Sequence, residues 1–442
     1  YAGKQGIQSK ERKKRTTVGA APRILIYMGS FSVTFLGSAL EVGRSAILAS
    51  TDKKLMLDYG LKLFATEEVD YKPTEYDGHL DLAILSHAHM DHSGNAPALF
   101  MKNNAPIVST PPTKALCEIL WEDSLKIGTF QTYGKNNMKS AVKNFMTVPY
   151  GKSIFTGSTK FSLHDAGHIA GSSVVALEYA GKKLVYSGDI KLQDTKMHHG
   201  TAFAEKADAL IIESTYALRD HPPREELENK LKDSAKKTVD DGGILLLPSF
   251  AIGRSQELVS ILSELPDDID IYLDGMGKLA ALAALEFPEY IRDFEHFQGA
   301  LNRVHFVNSQ LEREQAVARP GIIIATAGML QGGPSLFYLM NLNPNSKIIM
   351  TGYSMEGTNG HSLVNEGTVV IDEKKIKIDL PVEYLDFSAH AGRSELFEFI
   401  ERIGPSQIIC NHGDSCVAFA DELKGKGYDA VAPALGQTIE IK

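Results

Sequence analysis

The sequence predicts an α/β protein in which a strand-rich domain is interrupted by a second domain, built on a mostly parallel sheet with covering helices. Three observations carry this expectation. Residues 33 to 216 run strand, turn, strand, with few long helices. After Tyr216 short apolar strands alternate with amphipathic helices, the pattern of a parallel sheet covered on its faces. From Asp386 the polar, histidine-bearing loops of the first part return.

The elements follow in order. VTFLGSALEVGRSAILAS (33–50) and KKLMLDYG (53–60) read as a β-meander, and LDLAILSHAHMDHSG (80–94) as a buried strand running into a histidine-rich loop. APIVST (105–110) is a short strand. TKALCEILWEDSLKIG (113–128) spaces its apolar residues by three and four, as an amphipathic helix does. Strands are expected near KFSLHDAGH, SSVVALEYAGKKLVYSGDI and ADALIIESTY. A charged, mostly exposed helix follows from Arg219. GILLLPSFAIG, IDIYLDG, GIIIATAGML and SKIIMTGYS then supply the strands of the second domain. The expected divisions are 1–27, 28–216, 217–385 and 386–442. The first is a basic arm, leader or tag that begins at Tyr1 and not at Met.

Composition narrows the function classes. Of 442 residues 43% are hydrophobic and 23% charged, as in ordinary globular proteins. No apolar run approaches the roughly 18 residues that span a bilayer, so no membrane association is expected. Three cysteines, Cys117, Cys410 and Cys416, are too few for a disulfide framework, and no signal peptide is evident. Both point to the cytoplasm. The formal charge is −9, and without the basic first 27 residues the body carries −15. This balance argues against loose electrostatic attachment to RNA, so any attraction to RNA must be local, with bound metal ions the obvious source.

The strongest chemical signal is His87-Ala88-His89-Met90-Asp91-His92. Alternate residues of an extended chain point one way, so His87 and His89 can share a metal while Asp91 and His92 turn toward a second. Imidazole nitrogen and carboxylate oxygen suit zinc, and also manganese or iron. Three isolated residues in loops after strands, His168, Asp189 and His412, complete two sites that share one bridging carboxylate. Asp58 ends an apolar strand and is placed to orient a ligand; a turn aspartate is the bland alternative. Ser249, Gly253, Arg254 and Ser255 lie between a strand and a helix, where phosphate is readily bound. Ser388 is a further phosphate candidate. Arg254 can equally pair with a carboxylate. Cys410 reads as part of an apolar strand and not as a ligand.

The His-x-His-x-Asp-His motif with its later His, Asp and His resembles the metallo-β-lactamase superfamily. IIESTY with Glu213, FSAHAG with His390 and CNHGD with His412 resemble the three further motifs of the β-CASP nucleases. LWEDSLKIG, EVGRSAIL, PSFAIGRSQEL and ATAGMLQGG resemble the branch holding the cleavage and polyadenylation specificity factor nucleases, especially compact archaeal members. The resemblance runs from Val33 to the end. It implies an αββα sandwich interrupted by a β-CASP domain. It also implies two divalent metal ions, zinc first and manganese second. One ion is held by His87, His89, His168 and Asp189, the other by Asp91, His92, His412 and the shared Asp189. His390 is then a general acid oriented by Glu213, and Asp58 and Asp189 support catalysis. The implied substrate is single-stranded RNA, cut internally to leave 5′-phosphate and 3′-hydroxyl ends, in 3′-end processing or decay. A homodimer is the assembly to test. The residues before Val33 are too few for the paired KH-type modules that archaeal relatives often carry.

Three alternatives stand beside this reading. A 5′-to-3′ exoribonuclease of the RNase J type shares the metal site. A catalytically silent RNA-binding scaffold would have lost ligands, and none is missing here. A glyoxalase-type thioester hydrolase would need neither the large insert nor Glu213 and His390.

Overall fold

The computed structural model describes residues 29–63, 70–128 and 132–442; the basic segment 1–27 lies outside the described residues. Two seven-stranded sheets face one another. The first runs, edge to edge, Thr438–Glu440, Ser32–Phe35, Ile47–Ser50, Lys54–Leu57, Leu82–Ile84, Ile107–Ser109 and Phe145–Thr147. The second runs Asp429–Val431, Gln407–Asn411, Ala209–Glu213, Lys182–Tyr186, Ser173–Tyr179, Thr159–Asp165 and Ile154–Thr156.

Period-two alternation explains the layering. Val33, Phe35, Leu55, Leu57 and Ile84 from the first sheet meet Phe161, Leu163, Val175, Leu184 and Ile211 from the second in one buried core. The intervening residues Leu48, Met56 and Ala83 point outward. There Leu116, Leu120 and Trp121 of the helix Pro111–Ile127 cover them. On the opposite outer face Val174, Val185 and Leu210 pack under Leu396, Phe399 and Ile400 of the helix Arg393–Ile403 and under Phe419 of Cys416–Gly425. This is an αββα sandwich.

Between its two parts the chain builds a six-stranded sheet in the order Val304–Val307, Ile271–Asp274, Gly321–Ala325, Ile244–Pro248, Lys347–Met350 and Val382–Tyr384. Every neighbouring pair is parallel. Ile244–Pro248 is buried throughout because both faces are covered. Leu245 and Leu247 meet the helices Arg224–Asp240 and Arg254–Leu262 on one side, while Ile244 and Leu246 meet Gly333–Met340 on the other. The charged helix expected from Arg219 begins at Arg224 and buries Leu227, Leu231, Ala235 and Thr238 along one stripe.

The sheet topology positions the functional loops. Lys54–Leu57 runs parallel to Leu82–Ile84, and Ala209–Glu213 runs parallel to both Lys182–Tyr186 and Gln407–Asn411. Their carboxyl ends lie together, where ligands of α/β sheets usually bind. Asp58, His87, Asp189, Glu213 and His412 all lie at or just beyond those ends.

The loop after Leu82–Ile84 is locked by backbone hydrogen bonds from Tyr59 to His92, from Leu61 to Met90 and from Ser45 to Asp91. Gly60 sits beneath it, and a Cβ there would stand 1.8 Å from the Asp91 carbonyl oxygen. Gly60→Ala is therefore expected to push the loop away from the cluster and cost about 1–3 kcal/mol, the range for overpacking. Urea unfolding checks the stability, and metal content checks the loop.

Candidate metal centre

Nine side chains from six segments of the chain converge at the carboxyl ends of the two sheets. The ligand atoms of His87, His89, His168 and Asp189 all lie within 4.8 Å of one another, as do those of Asp91, His92 and His412. Asp189 lies between the groups. Its Oδ2 is 3.5 Å from His87 Nε2, 3.6 Å from His168 Nε2 and 3.3 Å from His92 Nε2, and its Oδ1 is 3.6 Å from His412 Nδ1. His89 Nδ1 stands 3.2 Å from His87 Nε2 and 3.0 Å from His168 Nε2. His92 Nε2 stands 3.2 Å from His412 Nε2.

Local structure explains the convergence. The extended backbone of His89 caps a one-turn helix, Met90–Ser93, which turns Asp91 and His92 to the other side. Asp58 and His412 adopt the left-handed conformation, with φ of 57° and 53°, where each strand breaks off. A non-glycine residue held there is strained, and such strain clusters at functional sites.

Buried partners fix the ring orientations. Asp58 is fully buried. Its Oδ2 accepts from His92 Nδ1 at 2.7 Å, from Ser86 Oγ at 2.7 Å and from Tyr186 Oη at 2.7 Å, and its Oδ1 accepts from the Ser86 amide at 2.6 Å. His92 thereby turns Nε2 into the cluster. His168 Nδ1 donates to the Ala389 carbonyl at 2.9 Å, which turns its Nε2 inward. His89 Nε2 faces the Ile252 carbonyl of the inserted domain at 3.4 Å. Such outer partners hold a ligand's tautomer and direction.

The electrostatics fit a cation. Burial holds His87 and His168 well below the ordinary histidine range and lowers His89 too, which leaves neutral rings able to ligate. Burial would raise Asp189 and Asp91. The surrounding imidazoles, His92 foremost, outweigh it and hold both carboxyls ionised. Burial also opposes the charged form of His92, but the carboxylates of Asp189, Asp91 and Asp58 draw it strongly upward. Asp189 Oδ1 is buried without a hydrogen-bond partner. Neutral imidazoles and ionised carboxylates aimed at common points are the donor set of a divalent ion. These residues fit one.

His390 and Glu213 lie at the rim. His390 Nδ1 is 2.9 Å from Glu213 Oε2, while Glu213 Oε1 accepts from the Ile190 amide at 2.8 Å. His390 Nε2 points toward Asp189, 3.9 Å away. The His390 side chain is 22% exposed against 0% for His87 and 1% for His168, so a substrate can reach it.

The phosphate candidates divide. Ser249 and Ser255 are buried and share a hydrogen bond of 2.8 Å; Ser255 Oγ also contacts the Phe250 carbonyl, and the Gly253 amide donates to Gln256 Oε1. These groups are committed within their own loop, and the structure does not present them to a ligand. Arg254 differs. Its Nε is buried without a partner, and burial beside Arg224 pushes the guanidinium down to about 10. Ser388 Oγ accepts from the His390 amide at 3.1 Å. All three cysteines are buried and free, and Cys410 lies in the strand Gln407–Asn411.

Several contributors were not singled out from the sequence. Ser86 and Tyr186 converge on Asp58. Lys191 Nζ donates to Glu395 at 2.6 Å and to the His390 carbonyl at 3.2 Å. A lysine directly after the buried turn Gly188-Asp189-Ile190 was the available signal.

The Beta-Casp domain profile matches residues 255–363, and that of the Zn-dependent metallo-hydrolase RNA specificity domain matches 375–433. The profile of the Anti-Pycsar protein Apyc1 matches 33–237. Probable RNase MJ4 of Methanocaldococcus jannaschii is 35% identical, over 92% of this chain and 100% of its own length. The transcription termination factor FttA of Pyrococcus abyssi is 32% identical, over 100% of this chain and 77% of its own. A protein of unknown function from Enterococcus faecalis V583 shares the fold with a TM-score of 0.66 at 17% identity, covering 93% of this chain and 100% of that one. The fold and the metal cluster define a metal-dependent hydrolase of the metallo-β-lactamase type. The chain belongs to the β-CASP ribonucleases of that superfamily.

Asp58→Asn is expected to leave the fold intact and weaken metal affinity 10- to 100-fold, the usual effect of losing a ligand's orienting partner. Titration with a competing chelator reads the change directly.

Proposed function

We propose that this ribonuclease cuts single-stranded RNA internally, using two divalent ions, and works in RNA 3′-end processing or decay. The observation that carries the reading is Asp189, lying between two groups of histidines beside the His390–Glu213 pair. His87, His89, His168 and Asp189 hold one ion; Asp91, His92, His412 and Asp189 hold the other. Zinc is the expected metal, with manganese as the alternative. When bound, the ions lower the pKa of water toward neutrality and offset the charge that builds on phosphorus.

The chain's own groups do the rest. His390 donates a proton from Nε2 to the departing 3′ oxygen. Glu213 holds His390 Nδ1 and the Ile190 amide, which fixes the direction of Nε2 and the turn bearing Asp189. Asp58 fixes the tautomer of His92. To Arg254, a buried cation whose Nε lacks a partner, and to Ser388 beside His390 we assign a phosphate oxygen. Ser249, Gly253 and Ser255 shape the loop that carries Arg254. Because water attacks and the ribose 2′ oxygen does not, the products are a 5′-phosphate and a 3′-hydroxyl, with no cyclic phosphate. We further propose residues 28–216 and 386–442 as the two parts of the sandwich and 217–385 as the insert, and a cytoplasmic location. Among the described residues no helix is long and apolar enough to cross a membrane.

Three measurements test this reading. His390→Ala should keep both metals and lose about 100-fold or more in rate, whereas His412→Ala should lose metal; the reverse pattern swaps the two assignments. Burial draws His390 down, but Glu213 and Asp189 outweigh it and push it up to about 9 from an ordinary 6.5. With bound ions offsetting the pull of Asp189, Glu213 sustains the upward shift, so activity that needs the protonated ring should fall as pH rises on the alkaline side of 6.5. Glu213→Gln should move this limb toward 6.5, read from a pH–kcat profile. Finally, covalently closed circular RNA should be cut. An intact circle beside a 5′-monophosphorylated linear strand degraded to mononucleotides would place the protein among the 5′-to-3′ exonucleases.

A further inference from the structure

Two aromatic side chains at the mouth of the site have no role in the chemistry above. Phe250 and Tyr353 are 37% and 53% exposed, although the strands that precede them are buried. Phe250 Cε2 lies 3.3 Å from the point where a Cβ on Gly352 would stand, so the ring rests on the backbone beside Tyr353. Among the described residues neither ring packs against another aromatic ring.

Their neighbours place them around the site. Two residues after Phe250, the Ile252 carbonyl faces His89. Tyr353 follows Gly352, on whose backbone the Phe250 ring rests. Burial, Asp414 and Glu356 raise its phenol, and Arg219 opposes them. The Arg219 guanidinium lies 4.8 Å over the Tyr216 ring and its side chain is 54% exposed. Tyr216 in turn lies 6.0 Å from the His390 ring. Flat groups thus lie on two sides of the cluster: Tyr216 and Arg219 beside His390, and Phe250, against the backbone that carries Tyr353, two residues before the Ile252 carbonyl that faces His89.

Exposed rings are costly to leave in water, and flat side chains beside a phosphodiester site suit one ligand class. Unpaired nucleobases stack on aromatic and guanidinium planes with little regard to identity, because every base offers a π face. A paired base, already stacked within a helix, does not. We propose that Phe250, Tyr353 and Arg219 form a base-stacking subsite that grips the unpaired bases flanking the scissile phosphate. The subsite rests on the ribonuclease reading above. It supplies affinity that the acidic body cannot, and it selects single strands without selecting sequence.

The test uses the full-length, metal-loaded protein and an RNA strand with 2-aminopurine beside the cut position, whose fluorescence falls when the base stacks. Stopped-flow mixing reads quenching before turnover. Wild type should quench the probe. Phe250→Ala and Tyr353→Ala should each lose the quench and raise KM roughly 10-fold, the scale of one lost stacking contact, with kcat little changed. Phe250→Tyr and Tyr353→Phe should restore both, which separates stacking from a folding defect. On RNA whose flanking positions are abasic, wild type and alanine variants should share one KM. Binding without quenching, or variants that lose as much on abasic RNA as on intact RNA, would overturn the proposal. So would alanine variants unchanged on every substrate, which would mark the rings as a protein contact. Quenching by a wild type that never cuts RNA would leave the subsite standing and fail the ribonuclease reading instead.

Discussion

Asp189 is 2% exposed, carries a full negative charge and stands among the imidazoles of His87, His92, His168 and His412. Burying an uncompensated carboxylate costs several kcal/mol even after relaxation. The second carboxylate, Asp91, and the third, Asp58, deepen that cost. The neutral imidazoles of His87 and His168 cannot repay it, and the proton drawn onto His92 repays only part. The donor set fits a divalent cation, which would repay the rest. The centre of this molecule is therefore a deficit of positive charge built into a rigid frame, and the remaining structure can be understood as the means of holding that deficit in place.

The frame consists of two sheets whose parallel strands end on the same side. Register pairs Ile212 with Cys410 and Glu213 with Asn411, so Glu213 and His412 emerge side by side although they are far apart in sequence. Asp58 ties the first sheet to the second by accepting from both Ser86 and Tyr186. The inserted domain completes the site from above: its Ile252 carbonyl meets His89, and the segment after its last strand carries Ser388 and His390. The orientation of His89 and the placement of His390 thus both depend on the seating of one domain on the other.

Much of this was legible in the residues. Period-two strands and the return of glycine- and histidine-bearing loops near Asp386 anticipated the interrupted sandwich, and the six-residue histidine motif anticipated the cluster. Contributions that depend on sequence-distant pairing were not legible. The strand Thr438–Glu440 is short and largely exposed, so no periodicity marks it, yet it pairs with Ser32–Phe35. The hairpin Thr368–Ile371 with Lys374–Lys377 buries little, and its turn is marked only by Asp372 and Glu373 at positive φ. Ser249 and Ser255 have the composition of a phosphate loop, but six residues apart they face one another and satisfy themselves. The Ile252 carbonyl and the Lys191–Glu395 pair act through contacts between domains or loops, which composition does not encode.

The claim on which the rest stands is that Asp189 balances its charge with two ions at once. Elemental analysis of the purified, dialysed protein tests it most directly, with Asp189→Asn measured beside the wild type and circular dichroism confirming that both are folded. The account predicts close to two divalent ions per chain in the wild type and a loss from both positions in the variant. A folded wild type carrying only a trace of metal, or an Asp189→Asn protein that keeps both ions, would contradict it.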